Sequence, residues 1–107
     1  MNVSTVPVEE REKGWKVLKI DGNKLPENAV FRFRKEGDYI QRFGSGKKSL
    51  KKFFNEEKTP VPEREYLPLI AEREGGEVYV VCGVEISEKV KVTSKTKEIL
   101  YITIETK

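Results

Sequence analysis

The sequence contains no histidine and a single cysteine, Cys82, among its 107 residues. Histidine is the commonest general base and zinc ligand, and one cysteine supports neither an internal disulfide nor a thiolate cluster. The carboxylate pairs Glu9-Glu10 and Glu56-Glu57 are adjacent in sequence, which is typical of a solvated surface. We therefore predict no catalytic or metal site in this chain. Cys82 lies in the apolar run Val78 to Val84, which predicts a reduced, buried thiol.

Long apolar runs are also missing. No run approaches the roughly 20 residues that cross a bilayer, and Met1 to Glu10 lacks the basic and apolar regions of a signal peptide. These absences predict a cytoplasmic protein without a membrane partner. The chain length fits one domain. Because the first dozen residues are acidic and weakly patterned, residues 1–12 are interpreted as a linker end or a loose first strand, and residues 13–107 as the domain.

Short apolar or alternating runs separated by turn residues fill the rest of the chain. Strands are predicted at residues 15–20, 29–34, 39–43, 67–71, 78–82, 85–93 and 99–105. One short helix is predicted at about 49–58, with a further helical turn at 63–66. Thr59-Pro60-Val61-Pro62 predicts an extended connection, because proline restricts the residue before it. The pattern indicates a small, β-rich α+β domain.

Positive charge is concentrated in one part of the chain. Charged residues make up 36% of the sequence, and the formal net charge is +3. Between Arg32 and Phe54 there are eight basic residues and only two acidic ones, a net charge of +6, so the remainder carries −3. A chain polarised in this way can present a positive face to a polyanion while the rest of it remains well solvated.

The predicted helix has its charges at the wrong ends for the helix dipole. Ser49 is a suitable N-cap, and Leu50, Phe53 and Phe54 follow it at helical spacing. Four lysines crowd its start, namely Lys47, Lys48, Lys51 and Lys52, while Glu56 and Glu57 lie at its end. Each misplaced charge costs about 0.3–1 kcal/mol. This arrangement indicates that lysines and free backbone N–H groups converge on an external anion such as a phosphate.

The glycines before the helix suggest a flexible approach to a ligand. Gly44-Ser45-Gly46 precedes Lys47, and glycine allows a ligand to come close to the backbone. The segment is not a nucleotide-binding P-loop, because Gln41 stands where that motif needs glycine and Lys48 where it needs serine or threonine. An anion-binding turn remains the interpretation.

Residues 29–34 alternate between apolar and polar side chains. In a strand, Arg32 and Arg34 point outward together, about 7 Å apart, and form a pair of phosphate clamps. Phe31 and Phe33 then point inward. The phenylalanines that interleave with the basic patch are therefore predicted to be mostly core residues, and Tyr39 is the best candidate for an exposed ring. Binding is expected to depend on phosphates and RNA shape more than on base stacking.

The basic segment resembles a known family. The segments that carry the resemblance are 31–38, 46–54, 62–69, 90–93 and 96–97, which read FRFRKEGD, GKKSLKKFF, PEREYLPL, VKVT and TK. Together and in this order they strongly resemble the C-terminal domain of bacterial tRNA(Ile)-lysidine synthetases, over about Val30 to Ile104. One departure is Glu85, where the resemblance leads us to expect an arginine, and Glu85 is left out of the predicted site.

The resemblance implies an ATP-dependent ligase, with Mg²⁺, that adenylates the wobble cytidine of tRNA(Ile) and then attaches lysine. In the family this chemistry belongs to an N-terminal domain with a Ser-Gly-Gly-x-Asp-Ser loop, which this sequence lacks. The chain is thus interpreted as the C-terminal domain alone, a non-catalytic and cofactor-free unit that grips tRNA at the acceptor stem. The implied fold is a small α+β unit with a sandwich-like arrangement of strands.

The predicted tRNA-binding residues are Arg32, Arg34, Lys35, Arg42, Lys47, Lys48, Lys51, Lys52 and Arg64, with Arg42 and Arg64 at the rim. If they neutralise about four to six phosphates, log affinity should fall with log salt at a slope of roughly −3 to −5. Two alternatives remain open. One is a protein-interaction or scaffolding module whose basic face only solubilises it. The other is a free-standing RNA-binding protein.

Overall fold

Nine strands and two short helices make up the regular structure in the part of the chain that the computed structural model describes, which is residues 2–4, 15–44 and 46–105. The strands are β1 (Asn2–Ser4), β2 (Trp15–Asp21), β3 (Ala29–Arg32), β4 (Tyr39–Arg42), β5 (Gly46–Ser49), β6 (Leu69–Glu72), β7 (Glu77–Val81), β8 (Glu85–Ile86) and β9 (Ile99–Glu105). The helices are α1 (Leu50–Glu56) and α2 (Val61–Arg64). Single 3-10 turns occur at Gly22–Lys24 and Glu88–Val90.

The strands form two sheets. The smaller sheet has the order β1-β9-β2, and β9 pairs antiparallel with both neighbours. The larger sheet has the order β3-β6-β7-β4-β5, and β8 pairs with β7. All its pairs are antiparallel except β4 with β7, which is parallel. Among the described strands, β3 therefore lies at an edge of the larger sheet.

The larger sheet separates two hydrophobic cores. On one face, Ile40, Leu69 and Val78 pack with the buried side chains of α1, which are Leu50, Phe53 and Phe54. On the other face, the apolar side chains of β6 and β7 pack against Ile20 of β2 and Ile102 of β9. The sheet thus has α1 on one side and the smaller sheet on the other.

A bulge in β7 changes which of the two cores its side chains enter. Ile70 pairs with Val80 while Ala71 pairs with Val78, so Tyr79 is an extra residue in the ladder. Val78 belongs to the core under α1, whereas both Tyr79 and Val80 belong to the core between the sheets. A bulge shifts the alternation of side chains by one position. Every residue of β7, including the acidic Glu77, is buried, because both faces of the sheet are covered.

The predicted β-rich α+β fold is confirmed, with local differences. Gly46, predicted to end a flexible approach at 44–46, instead begins strand β5, which extends to Ser49. A second helix begins at Val61, and the predicted strand 85–93 is reduced to β8 and a 3-10 turn. Of the predicted linker or loose strand at 1–12, Asn2–Ser4 forms β1, and residues 5–12 lie outside the described residues. The boundary at residue 13 stays a prediction.

Three phenylalanines are exposed, and the prediction that most of the phenylalanines are core residues was wrong for them. Phe31, Phe33 and Phe43 are 53%, 57% and 51% exposed, whereas Phe53 and Phe54 are fully buried. Phe31 lies opposite Ile70 and shares its face of the sheet. It belongs to an edge strand, however, so neighbouring elements cover it less than they cover Ile70. Alternation predicts which face a residue takes, but not whether that face is covered.

Cys82 follows β7 directly and is fully buried, as predicted. Burial raises the pKa of its thiol to about 11, so only about one molecule in a thousand carries a thiolate at about pH 8. We expect iodoacetamide to alkylate native Cys82 at least about 100-fold more slowly than the unfolded chain, because the thiolate is the nucleophile. Mass spectrometry at timed intervals, with and without guanidinium chloride, measures this ratio. Equal rates would contradict the burial of Cys82.

Candidate nucleic-acid interface

A cleft of about 840 Å³ opens where three segments meet. These are the 33–38 loop between β3 and β4, the junction of β5 with α1, and α2 with the residue after it. The residues that line the cleft are Arg34, Lys35, Glu36, Gly37, Asp38, Tyr39, Lys47, Ser49, Leu50, Lys51, Val61, Arg64 and Glu65. Five of them are basic and three are acidic. The cleft therefore gathers cations from parts of the sequence up to 30 residues apart.

Asp38 holds two of these segments together. Its carboxylate accepts hydrogen bonds from the Lys35 backbone N–H at 2.9 Å and from both terminal nitrogens of Arg32, each at 2.9 Å. Its backbone carbonyl accepts from the N–H of Leu50, the first residue of α1, at 2.9 Å. Asp38 is 4% exposed. The 33–38 loop is thus fixed against the start of the helix.

Arg32 is a structural residue. Its Nε donates to the Glu72 carbonyl at 2.8 Å, and its terminal nitrogens also donate to the carbonyls of Phe33 and Gly75 at 3.1 and 3.2 Å. With the two bonds to Asp38, all five N–H groups of the guanidinium are used. The prediction that the Arg32 side chain points outward was wrong, because its guanidinium is turned toward Asp38 and three backbone carbonyls. Its contact with phosphate stays a prediction. Sequence alternation does not reveal that a buried carboxylate lies six residues further on.

Backbone geometry at Gly37 and Gly76 supports the same loop. Gly37 has φ of +91°, a conformation that favours glycine. A Cβ at Gly76 would lie 2.9 Å from the Gly37 carbonyl oxygen, which is too close for backbone that cannot move away. The loop therefore packs directly on the β6–β7 turn, with no room for a side chain between them.

Lys47 and Lys48 point to opposite faces because they are neighbours in strand β5. Lys47 lines the cleft, and its Nζ lies 4.1 Å from the centre of the Tyr39 ring. Lys48 lies opposite the buried Ile40 in the ladder, and its Nζ donates to both carboxylate oxygens of Glu56 at 2.6 and 2.7 Å. The prediction placed both lysines together at the helix start, and the strand separates them.

The Lys48–Glu56 pair also relieves the misplaced charge at the end of α1. The hydrogen bond from Lys48 lowers the pKa of the Glu56 carboxyl. Arg42 adds to this cluster, because its guanidinium lies within 3.3–3.8 Å of carboxylate oxygens of Glu56, Glu57 and Glu85 and 5.1 Å from the centre of the Phe53 ring. Glu85 thus compensates Arg42. Neither Arg42 nor Lys48 lines the cleft.

Two N–H groups at the start of α1 donate to acceptors within the protein. Ser49 is the N-cap as predicted, and its Oγ accepts from the Lys52 N–H at 3.3 Å. The Leu50 N–H donates to Asp38. Two of the backbone donors expected to meet an anion are therefore occupied. Lys51 lines the cleft, whereas Lys52 is exposed beside it.

Arg64 reaches the cleft from α2. Its Nε donates to the Thr59 carbonyl at 2.8 Å, and its guanidinium lies 5.7 Å from the centre of the buried Phe54 ring. Arg34 also lines the cleft, but its Nε donates to the Glu65 carboxylate at 3.0 Å. Since strand β3 ends at Arg32, Arg34 belongs to the loop.

Four cleft cations have no carboxylate within 4 Å among residues 15–44 and 46–105, and these are Lys35, Lys47, Lys51 and Arg64. The Lys35 Nζ donates to the Glu74 carbonyl at 2.8 Å, which leaves its charge uncompensated. The cleft can therefore attract an anionic ligand larger than a single ion. Tyr39, predicted to have the most exposed ring, is half-buried under Lys47.

Helix α2 forms part of the cleft wall, whereas the sequence predicted a helical turn only at 63–66 and an extended connection before it. Val61 and Glu65 line the cleft because α2 begins at Val61. The available signal was Pro62, since proline is favoured in the first turn of a helix. The glycines 44 and 46, expected at an anion, instead have positive φ next to the β4–β5 connection and do not line the cleft.

Across the described ranges, no group of three or more His, Cys, Asp or Glu side chains could hold a metal ion. Nor does any helix in those ranges have the length and apolar character needed to cross a membrane. Elsewhere, Lys89 donates to the nearly buried Glu77 carboxylate at 2.9 Å, which raises the pKa of Lys89. Burial raises the pKa of Tyr79 to about 12. Both groups lie outside the cleft.

Comparison with known proteins identifies relatives over most of the chain. The chain is 38% identical over 96 residues to a tRNA(Ile)-lysidine synthase of Caldanaerobacter subterraneus subsp. tengcongensis, covering 89% of this chain and 20% of the relative. It is 43% identical over 86 residues to the synthase of Clostridium tetani, covering 79% and 18%. The chain thus spans about a fifth of the length of these curated relatives.

A solved structure described as the crystal structure of the TILS C-terminal domain shares the fold. Its TM-score is 0.66 at 23% identity, and the match covers 98% of this chain and 81% of that one. A model of the family described as "TilS substrate C-terminal domain" matches residues 30–103. The resemblance seen in the sequence is confirmed, and the chain belongs to the TilS substrate C-terminal domain family.

Proposed function

We propose that this chain is the tRNA-binding, non-catalytic domain of a tRNA(Ile)-lysidine synthase, and that it grips tRNA phosphates in the cleft. The observation that carries the proposal is the gathering of Lys35, Lys47, Lys51 and Arg64 around one opening without compensating carboxylates among the described residues. A run of phosphates matches such a set because each cation can neutralise one of them.

The relatives' name, tRNA(Ile)-lysidine synthase, supports a role in tRNA modification. A synthase of this name uses the tRNA as substrate, and we propose that ATP, Mg²⁺ and lysine act in the rest of such an enzyme, in the cytoplasm. The acceptor stem is the proposed site of contact. Its A-form grooves resist readout of bases by side chains. Binding by this domain should therefore follow the shape and phosphates of the stem, and linkage to a catalytic domain would add effective concentration.

The structure changes which of the predicted residues we expect to contact phosphates. Arg34 and Lys52 are secondary, because Arg34 is paired with Glu65 and Lys52 lies beside the cleft. Arg32, Arg42 and Lys48 already bind carboxylates. With about three or four phosphates neutralised, the slope of log affinity against log salt should be roughly −3 to −4.

Charge reversal in the cleft tests the proposal. We expect Lys47→Glu with Lys51→Glu to weaken binding of a tRNA(Ile) transcript about 10- to 100-fold at low salt and to make the salt slope shallower by about 2. Fluorescence anisotropy over a salt series measures both quantities. Lys95→Glu with Lys97→Glu makes the same charge change at exposed residues that do not line the cleft.

The control pair should lower affinity only slightly. Equal losses in the two double variants would mean that net charge, and not the cleft, attracts RNA. Binding that ignores salt would refute the phosphate contacts altogether. Circular dichroism verifies that each variant remains folded.

A contact with another protein is the second candidate function, and the exposed Phe31 and Phe33 at the edge of the larger sheet favour it. Exposed apolar side chains on an edge strand are typical of protein contacts. This candidate would gain support if tRNA binding proved independent of salt.

A further inference from the structure

A second, smaller concavity lies on the other side of α2. It has a volume of about 330 Å³ and is lined by Pro62, Glu63, Tyr66 and Leu67. We call these four residues the apolar notch. Val61, Arg64 and Glu65, which alternate with them along the same short segment, line the cationic cleft. One turn of helix, with a diameter of about 10 Å, therefore separates a phosphate-binding surface from an apolar surface.

The Tyr66 ring is available to a ligand. Tyr66 is 77% exposed, the largest exposure among the large hydrophobic residues of the described chain. Single exposed apolar residues need no explanation. Here, however, an aromatic ring and two further apolar residues form a concave surface, and a tyrosine ring offers a large flat contact at little cost in conformational entropy.

Glu63 decides which part of an RNA can enter the notch. Its carboxylate only accepts hydrogen bonds, and its charge repels phosphate. A nucleobase, by contrast, has an apolar face for Tyr66 and, in adenine, cytosine and guanine, an amino group that can donate to a carboxylate. The charges on the two sides of α2 therefore match the two parts of a nucleotide.

We propose that the apolar notch binds an unpaired nucleobase of the same RNA whose phosphates occupy the cleft, with the base stacked on Tyr66 and its amino group facing Glu63. This inference rests on the proposed function. The base must be unpaired, because stacked bases of an A-form duplex cannot reach an aromatic side chain. A base with an amino group should be preferred to uracil.

The test compares two RNA hairpins with the same stem, one blunt and one with a short 3′ overhang that carries the fluorescent base 2-aminopurine. We expect the overhang to tighten binding about 5- to 30-fold and its fluorescence to fall on stacking. Tyr66→Ala should abolish the gain and leave affinity for the blunt hairpin unchanged, whereas Tyr66→Phe should retain it. An overhang made of uridines should give a smaller gain in affinity than one that carries amino groups. Glu63→Gln should reduce the difference in gain between these two overhangs.

The experiment distinguishes a failure of the base site from a failure of the proposed function. If the blunt hairpin binds with the expected salt dependence but the overhang adds nothing, or its gain survives Tyr66→Ala, the base site is refuted and the proposed function stands. The notch would then be free to contact a protein surface. If neither hairpin binds, the proposed function fails first.

Discussion

Arg32→Ala is expected to lower the free energy of unfolding by about 3–5 kcal/mol, the cost of removing one partner of a buried ion pair. The substitution leaves the Asp38 carboxylate, whose side chain is 1% exposed, without its charged partner. It also frees the carbonyls of Glu72, Phe33 and Gly75. Urea denaturation followed by circular dichroism measures the loss.

Two further variants separate charge from packing at this pair. Arg34→Ala removes an arginine whose partner Glu65 is exposed, and it should cost less than about 1 kcal/mol. Arg32→Met with Asp38→Asn removes both charges and should recover part of the loss, because no unpaired buried charge remains. An unchanged stability in Arg32→Ala, with RNA binding abolished, would instead restore Arg32 as a phosphate ligand.

Phe54→Ala is expected to destabilise the protein by about 3–5 kcal/mol. The Phe54 ring is fully buried and meets Phe53 edge-to-face, with ring centres 5.6 Å apart. It also supports the Arg64 guanidinium at 5.7 Å. Its removal therefore opens a cavity under α1 and takes away the surface against which a cleft cation rests. Thermal and urea denaturation measure the stability loss.

Phe33→Ala is the matched control, because it makes the same chemical change at an exposed residue. It should alter the free energy of unfolding by no more than about 0.5 kcal/mol. Phe54→Leu should lower the free energy of unfolding by an amount between those of Phe54→Ala and Phe33→Ala, because leucine fills most of the volume of the ring. A similar small effect in Phe54→Ala and Phe33→Ala would contradict the placement of α1 against the larger sheet.

Local patterns predicted the elements of this fold better than they predicted the faces of its side chains. The helical spacing of Leu50, Phe53 and Phe54 and the N-cap Ser49 define α1 in sequence and in structure alike. A strand was also predicted correctly at Ala29–Arg32, but its alternation assigned Phe31 to the core and Arg32 to the surface, and both assignments were wrong. Phe31 is exposed because β3 lies at the edge of the sheet. The order of strands depends on pairing between distant segments, which a local sequence pattern does not reveal.

The candidate site was predictable as a charged region and not as a set of residues. The cluster between Arg32 and Phe54 does supply three of the four uncompensated cleft cations, Lys35, Lys47 and Lys51. Most of the other predicted cations are not available to a ligand, because acidic residues distant in the sequence compensate their charges. Glu56, Glu65 and Glu85 are 8 to 43 residues from the cations that they neutralise. The split between Lys47 and Lys48 required knowing that residues 46–49 form a strand.

The larger sheet contributes side chains to both hydrophobic cores, and this determines how the cleft can unfold. Strands β6 and β7 contribute side chains to each core, so neither core can open while the other stays intact. We therefore expect one cooperative transition for the described fold, with no partly melted state in which α1 has left and the sheets remain. An RNA arriving at the cleft would meet a binding surface that is either completely formed or entirely missing.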